Sequence, residues 1–231
     1  MNWLMDNMEG IAFGFFALVF FGAMTYLFYS EKKRIDAIKA MAEPMGFTYN
    51  RRDQQSIETL KEFAMFNDAN DHEFNNVIEG TRNGVRVLMG EYDAIYGVRK
   101  NSRIHRTQTI CVINDPALTL PHFLVRREMK VADAIGAKLG GQDINFADDK
   151  KFSAAFVLQG EKAEETRSFF TARVRSAFMK FANTETRVEG SGNRLLITRS
   201  IIIEPEKWSQ LLKDTFALYE ILKKPEPDAK A

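Results

Sequence analysis

The chain has 231 residues, of which 45% are apolar, 12% aromatic and 27% charged. These proportions exclude a disordered chain, a disulfide-stapled miniprotein and a low-complexity fibre. Lys plus Arg number 32 against 31 for Asp plus Glu, so bulk charge gives no pull toward nucleic acid, yet none of the basic residues lies in the first 30 positions.

From Gly10 to Ser30 the chain reads GIAFGFFALVFFGAMTYLFYS, without an acid, a base or an imidazole. As a helix this run spans about 30 Å, the thickness of a bilayer core. It lacks the polar stripe of a helix buried in a soluble core. Trp3 at one end and Tyr26 and Tyr29 at the other suit the two interfaces. These features predict a transmembrane helix over 10–30 after a short external N-terminus, 1–9, with the lipid bilayer as its partner. A cleaved signal peptide would begin with basic residues, whereas Asp6 and Glu9 stand there and no small-x-small site follows. Lys32, Lys33 and Arg34 come directly after the span, so the positive-inside rule leaves the N-terminus outside and the large domain in the cytoplasm. A single cysteine, Cys111, forbids an internal disulfide and fits a reducing compartment.

Residues 31–46 read as a juxtamembrane helix, with Ile35, Ile38, Met41 and Ala42 at helical spacing and Pro44 and Gly46 at its end. Phe47–Asn50 reads as a short strand, Asp53 as a helix cap, and Asn67–Glu73 as a loop. Val77–Gly80 and Val85–Met89 flank an Asn83-Gly84 pair, the strongest short-range hairpin signal. A strand reaches Tyr96, and Thr107–Ile113, apolar on both faces, reads as central. A short helix over 127–139 closes on Gly140-Gly141, and Phe152–Gln159 is a strand candidate. Glu161–Asn183 reads as one helix with a wide phenylalanine face. Thr186–Glu189 and Arg194–Ile203 form a second hairpin, and Pro205 opens a last helix carrying Trp208, Leu211, Leu212, Thr215, Phe216, Tyr219 and Leu222 on one face. The fold class expected is α+β. One mostly antiparallel sheet lies over 47–223, with the 161–183 and 205–223 helices packed on it and a frayed tail at 224–231. The segments around residues 85 and 195 look alike, which raises two similar helix-plus-hairpin halves.

Motifs of known chemistry are sparse. His72, His105 and His122 lack zinc-type spacing, and no cofactor is implied. There is no GxSxG, and Cys111 falls inside the central strand, where a thiol acts as a small hydrophobe. Gly190-Ser191-Gly192-Asn193 reads as a turn leading into a strand and not as a phosphate loop. Asp143, Asp148 and Asp149 read as a solvated loop neutralised by Lys150 and Lys151, without calcium spacing. Val98–Ile110 carries Arg99, Lys100, Arg103 and Arg106 with no acid, a basic loop that could meet anionic headgroups. Aromatic residues do not interleave with those four, which argues against nucleic acid.

The order of pieces resembles a family of uncharacterised bacterial membrane-anchored proteins. The resemblance rests on Val77-Ile78-Glu79-Gly80, Glu91-Tyr92-Asp93 with Tyr96, and Thr107-Gln108-Thr109. It continues through Leu120-Pro121 with Phe123, Gln142–Phe146 with Phe152-Ser153, Leu158 with Gly160, Arg167 with Phe169-Phe170, and Glu189-Gly190 with Leu195-Leu196. Asn145 and Arg127 depart from the pattern. The resemblance implies a bacterial plasma membrane and brings no reaction, cofactor or catalytic residue. Three functions follow as expectations. One is a non-enzymatic interaction or scaffold module with a membrane or cytoplasmic protein partner. Another is an anionic-lipid sensor acting through the 98–110 loop, and the third is an enzyme built from scattered residues such as Asp93, Asp143 and Tyr96.

Overall fold

The structure is a computed structural model that describes residues 8–67, 69, 71–99, 102–127 and 143–225. Its first element, α1 (Met8–Ala42), is a single helix of 35 residues, about 52 Å long at 1.5 Å per residue. The stretch from Phe13 is long and apolar enough to cross a membrane, and its most apolar window touches nothing else in the fold. Phe13, Phe16, Leu18, Phe21, Leu27 and Tyr29 are all exposed, so this stretch is not the core helix of a soluble domain. The other end of the same helix is docked, with Ile38 and Ala42 fully buried. The juxtamembrane helix is therefore a continuation of the apolar one. Pro44 lies in the 3-10 turn Glu43–Met45, and Gly46 closes that turn at φ 70, where a side chain would be strained.

Eight strands follow: β1 (Thr48–Arg52), β2 (Asp71–Arg82), β3 (Val85–Arg99), β4 (Ser102–Asn114), β5 (Leu120–Arg127), β6 (Phe156–Gly160), β7 (Thr186–Gly192) and β8 (Arg194–Arg199). They form one sheet in the order β1-β2-β3-β4-β8-β7-β5-β6, and every neighbouring pair is antiparallel. Asn83 and Gly84 join β2 to β3 with positive φ at both positions, as a two-residue type I′ turn requires. The two look-alike hairpins, β2–β3 and β7–β8, flank β4 on its two sides. The outer strands differ, because β5 intervenes between β6 and β7 whereas β1 to β4 run consecutively.

Helices cover both faces, as the two apolar faces of β4 demand. Val87, Met89, Cys111, Ile113, Leu195 and Ile197 meet the docked end of α1 and the last helix. The opposite face, with Leu88, Tyr92, Ala94, Ile110, Val112 and Leu196, is covered by α2 (Gln54–Thr59) and α3 (Ala64–Asn67) through Ile57, Leu60, Phe63 and Phe66. Asp53 caps α2 by accepting from the Ser56 amide at 3.0 Å.

The second half departs from the expectations in several places. The strand expected over Phe152–Gln159 is helical in its first half: α4 (Lys150–Ala155) precedes β6, started by the Asp149 carboxylate on the Phe152 amide at 3.0 Å. The helix expected over 161–183 is two, α5 (Ala163–Phe169) and α6 (Ala172–Phe178). Thr171 breaks it by taking the N-cap position of α6, accepting from the Val174 amide. β8 stops at Arg199: the Ser200 amide still bonds the Glu185 carbonyl, at 3.0 Å, but on the β4 side the pairing shifts, the Thr109 amide donating to the Ile201 carbonyl and Thr109 Oγ1 accepting from the Ile203 amide. Asp148 and Asp149 are held by Arg175, a buried guanidinium at 2.6 and 3.1 Å, and not by Lys150 and Lys151. β2 begins at Asp71, inside the expected 67–73 loop. Beyond Arg127, which ends β5, the short helix expected over 127–139 lies outside the described residues, as does the tail from 226. The last helix, α7 (Trp208–Lys223), follows a 3-10 turn that Pro205 opens.

Candidate functional site

The apolar face of β3 ends at Met89, and the next inward position is an acid, Glu91. Its carboxylate is only 5% exposed, an environment that requires a partner on each oxygen. Arg34 of α1 supplies one, donating from Nε to Oε1 at 2.7 Å. Asn76 supplies the other, donating to Oε2 at 2.7 Å. Asn76 reaches Glu91 because β2 carries an irregularity between Asn75 and Ile78, where Asn76 sits at φ 48, a conformation asparagine tolerates better than most. Tyr49 of β1 donates to the same Asn76 at 2.8 Å. Arg34 also donates to the Ile203 carbonyl at 2.7 Å and faces Glu204 at 3.4 Å. One guanidinium thus ties the end of the apolar helix to the sheet and to the turn before α7.

Beyond Glu91 the same sheet face is polar and open. Asp93 accepts from Thr107 and from Asn75, with His105 Nε2 at 3.5 Å. Arg52 pairs with Glu73 at 2.6 Å, and Arg51 of β1 pairs with Glu31 of α1 at 2.7 Å. Glu31, Arg51, Arg52, Glu73, Asn75 and Asp93, with Asn76 and Glu91, line a shallow cleft of about 530 Å³ beside the exit of α1. Its carboxylates are matched by cations, amides or hydroxyls, which suits recognition of a polar surface. Among the described residues no group of three or more His, Cys, Asp or Glu could hold a metal ion.

The described residues of the basic segment, 98–99 and 102–110, are not in a loop. They belong to the paired ends of β3 and β4, with Gly97 opposite Arg103, Arg99 opposite Ser102 and Ala94 opposite Arg106. The strands persist because Ala94 and Tyr96 still pack on the second face, with Tyr96 directed at the Met65 carbonyl, 3.5 Å away. Arg106 is half-buried. Lys100 and the side chains of Arg99 and Arg103 lie outside the described residues. The enzyme constellation does not assemble. Asp93 is on the open face of β3, Tyr96 is buried on the opposite face, and Asp143 bonds Gln159 of β6 at the far edge of the sheet. Cys111 is fully buried, and burial pushes its thiol up to about 12, far from the range of a reactive cysteine.

A second buried acid is Glu189 of β7, to which the sequence assigns a place in a strand but no partner. It accepts from the Ala64 amide at the start of α3 at 2.7 Å and from Arg187 at 2.8 Å, and its Oε1 lies 3.3 Å from His122 Nε2. The hydrogen bond to Glu189, against the opposing effect of burial, raises His122 above its ordinary value, and Glu161 adds to the rise. A raised folded value stabilises the protein fully below the unfolded value near 6.5 and is lost as pH climbs through the folded one. The thermal midpoint should therefore fall as pH rises from about 6 to about 8, and His122→Gln should flatten that part of the slope. A wild-type midpoint that rises over this range would contradict the pairing.

No family model matches the chain, and no curated relative matches it. A solved structure does share the architecture: the crystal structure of the mycobacterial trehalose monomycolate transport factor A, TtfA, superposes with a TM-score of 0.60 over 85% of this chain and 98% of that one. At 13% identity the likeness is one of fold. It shows this chain to be an α+β protein of an apolar N-terminal helix and an eight-stranded antiparallel sheet packed with helices.

Proposed function

We propose that the chain is a single-pass membrane protein whose α+β domain serves, without catalysis of its own, as an interaction platform held at the cytoplasmic face of a bacterial plasma membrane. The observation that carries this reading is the continuity of α1. Its exposed apolar part and its docked part are one helix, fixed by the pair of half-buried Arg34 with buried Glu91 only a turn beyond Ser30. A domain so joined is held at a set height and angle, which favours docking of a fixed neighbour. The TtfA fold likeness supports the reading, since that protein is named as a transport factor. The polar cleft at the exit of α1 is the surface a membrane-protein partner would meet, through paired charges and amides.

Orientation is tested by fusion after Ala231. A reporter that matures only in the cytoplasm should be active, and periplasmic phosphatase activity would overturn the topology. The platform is tested by a photo-crosslinking residue at Asn75, inside the cleft, in the full-length protein in its native membrane. A discrete protein adduct should form there and be absent from the same probe at Glu220. Equal labelling at both positions would count against the cleft.

A second reading assigns Arg99, Lys100, Arg103 and Arg106 to anionic headgroups. The direction of the strands favours it. Arg82 donates to the Met45 sulfur at 3.7 Å and Arg34 grips Glu91, so α1, followed toward its N-terminus, runs the same way as β3, and the β3–β4 end lies on the membrane side of the domain. Each basic residue near such a surface adds about 1 kcal/mol of attraction. The fragment from Glu31 onward should sediment with acidic vesicles at low salt, and reversal of all four residues to Glu should abolish this. Equal sedimentation of both forms would sink the lipid reading.

A further inference from the structure

We infer that Ile201 and Ile202 form a second membrane contact, dipping into the headgroup boundary beside α1 and setting the tilt of the domain. The inference rests on the reading of α1 as a membrane anchor. Outside α1, these two are the large apolar side chains that the described residues leave exposed, at 60% and 38%. Isolated exposed isoleucines on a mobile loop would mean little. Here the backbone beneath them is fixed on both sides.

The Ser200 amide donates to the Glu185 carbonyl at 3.0 Å, and the Thr109 amide donates to the Ile201 carbonyl at 3.3 Å. The Ile203 amide donates to Thr109 Oγ1 at 3.0 Å. The Ile203 carbonyl accepts from Arg34 at 2.7 Å and lies 3.4 Å from the Trp208 indole nitrogen. Ile203 itself turns inward onto the core. A backbone held this firmly cannot collapse to hide its two neighbours, so their exposure is a built feature of the turn.

The position of the turn supplies the occupant. Arg34 lies four residues past Ser30, about 6 Å along the helix axis. Side chains of a helix lean toward its N-terminus, which for α1 is the apolar end. The guanidinium, and the Ile203 carbonyl bound to it, therefore stand closer to the membrane than the Arg34 backbone does. Headgroup layers extend several ångströms beyond the hydrocarbon, which brings the 200–203 turn to their level. Apolar side chains at that depth bury against acyl chains while Ser200 and Glu204 keep polar surroundings. The acids and imidazole on the ends of β2 to β4, Glu73, Asp93 and His105 among them, oppose immersion of those strands. A contact at Ile201 and Ile202 would thus incline the sheet along the surface instead of into it.

The test uses full-length protein in phosphatidylcholine–phosphatidylglycerol vesicles. An environment-sensitive fluorophore is placed singly at Ile201→Cys, Phe20→Cys or Glu220→Cys, and Cys111 is too buried to compete for label. Lipids carrying a nitroxide near the headgroup, and in a parallel sample at the end of the acyl chain, serve as quenchers. Emission from position 201 should drop with the headgroup nitroxide and emission from position 20, at the middle of the span, with the acyl-chain nitroxide, while position 220 stays unchanged with both. Quenching at 20 without quenching at 201 overturns the second contact and leaves the anchor intact. A blue-shifted but unquenched probe at 201 means that protein covers the turn, and also overturns it. Absence of quenching at 20 removes the anchor, and the second contact falls with it.

Discussion

Arg34→Ala should be among the most damaging single changes outside the apolar core, costing about 3–5 kcal/mol. Glu91, only 5% exposed in the intact protein, keeps only the Asn76 amide, and the Ile203 carbonyl loses its charged donor. Most of the loss is the penalty of an unpaired buried carboxylate and not the intrinsic strength of the pair. Adding Glu91→Gln to the alanine variant should therefore recover part of it, because a neutral amide is far cheaper to leave in that site. Denaturant unfolding of the domain in the full-length protein, in the four forms of a double-mutant cycle, measures this. Additive costs would mean that the two side chains do not depend on one another.

Phe123→Ala should cost a similar amount, about 3–5 kcal/mol, by emptying the middle of the aromatic cluster. The Phe123 ring lies 5.0 Å from that of Phe170, 6.2 Å from Phe169 and 6.3 Å from Phe178. Its edge also fills the space over Gly190, where a Cβ would run into the ring. Gly190→Ala alone should then destabilise by about 1–3 kcal/mol through overpacking. In the Phe123→Ala background the same methyl enters a void, so its cost should shrink or change sign. Equal cost in both backgrounds would contradict the ring-over-glycine contact. Gly80 carries the ring of Phe47 in the same manner, which gives the Glu-Gly pairs of the two look-alike hairpins a common physical basis.

Features with a local cause were legible in the sequence. The apolar run, the Asn83-Gly84 turn, the Asp53 cap and Pro205 each act within a few residues of themselves. The two-sided apolar pattern of Thr107–Ile113 likewise announced a central strand. Where a tertiary partner decided, the sequence pattern misled. Glu161–Asn183 keeps one helical face across the Thr171 cap, so periodicity alone joined two helices. The basic residues after Val98 read as a loop because the cover that Phe66 and Met65 supply to Ala94 and Tyr96 comes from a segment some thirty residues earlier. Three consecutive isoleucines suggest that β8 continues, but Thr109 of β4 takes the Ile201 carbonyl and the Ile203 amide out of register. Glu91 and Glu189 could have been found. Each occupies an inward position of an otherwise apolar strand, and period-two alternation places an acid there only if a partner awaits it. The partners themselves, Arg34 and the start of α3, are 57 and 125 residues away.

The central claim is that one unbroken helix rigidly connects the bilayer to the sheet. Pulsed electron paramagnetic resonance between nitroxides at Tyr26→Cys, on the apolar part of α1, and Glu220→Cys, on α7, measures it directly in full-length protein in bilayer nanodiscs. A rigid connection predicts a single narrow distance distribution in the wild-type background, broadened by Arg34→Ala. A broad or bimodal distribution with Arg34 in place would show a hinge between membrane helix and domain, and would contradict the account.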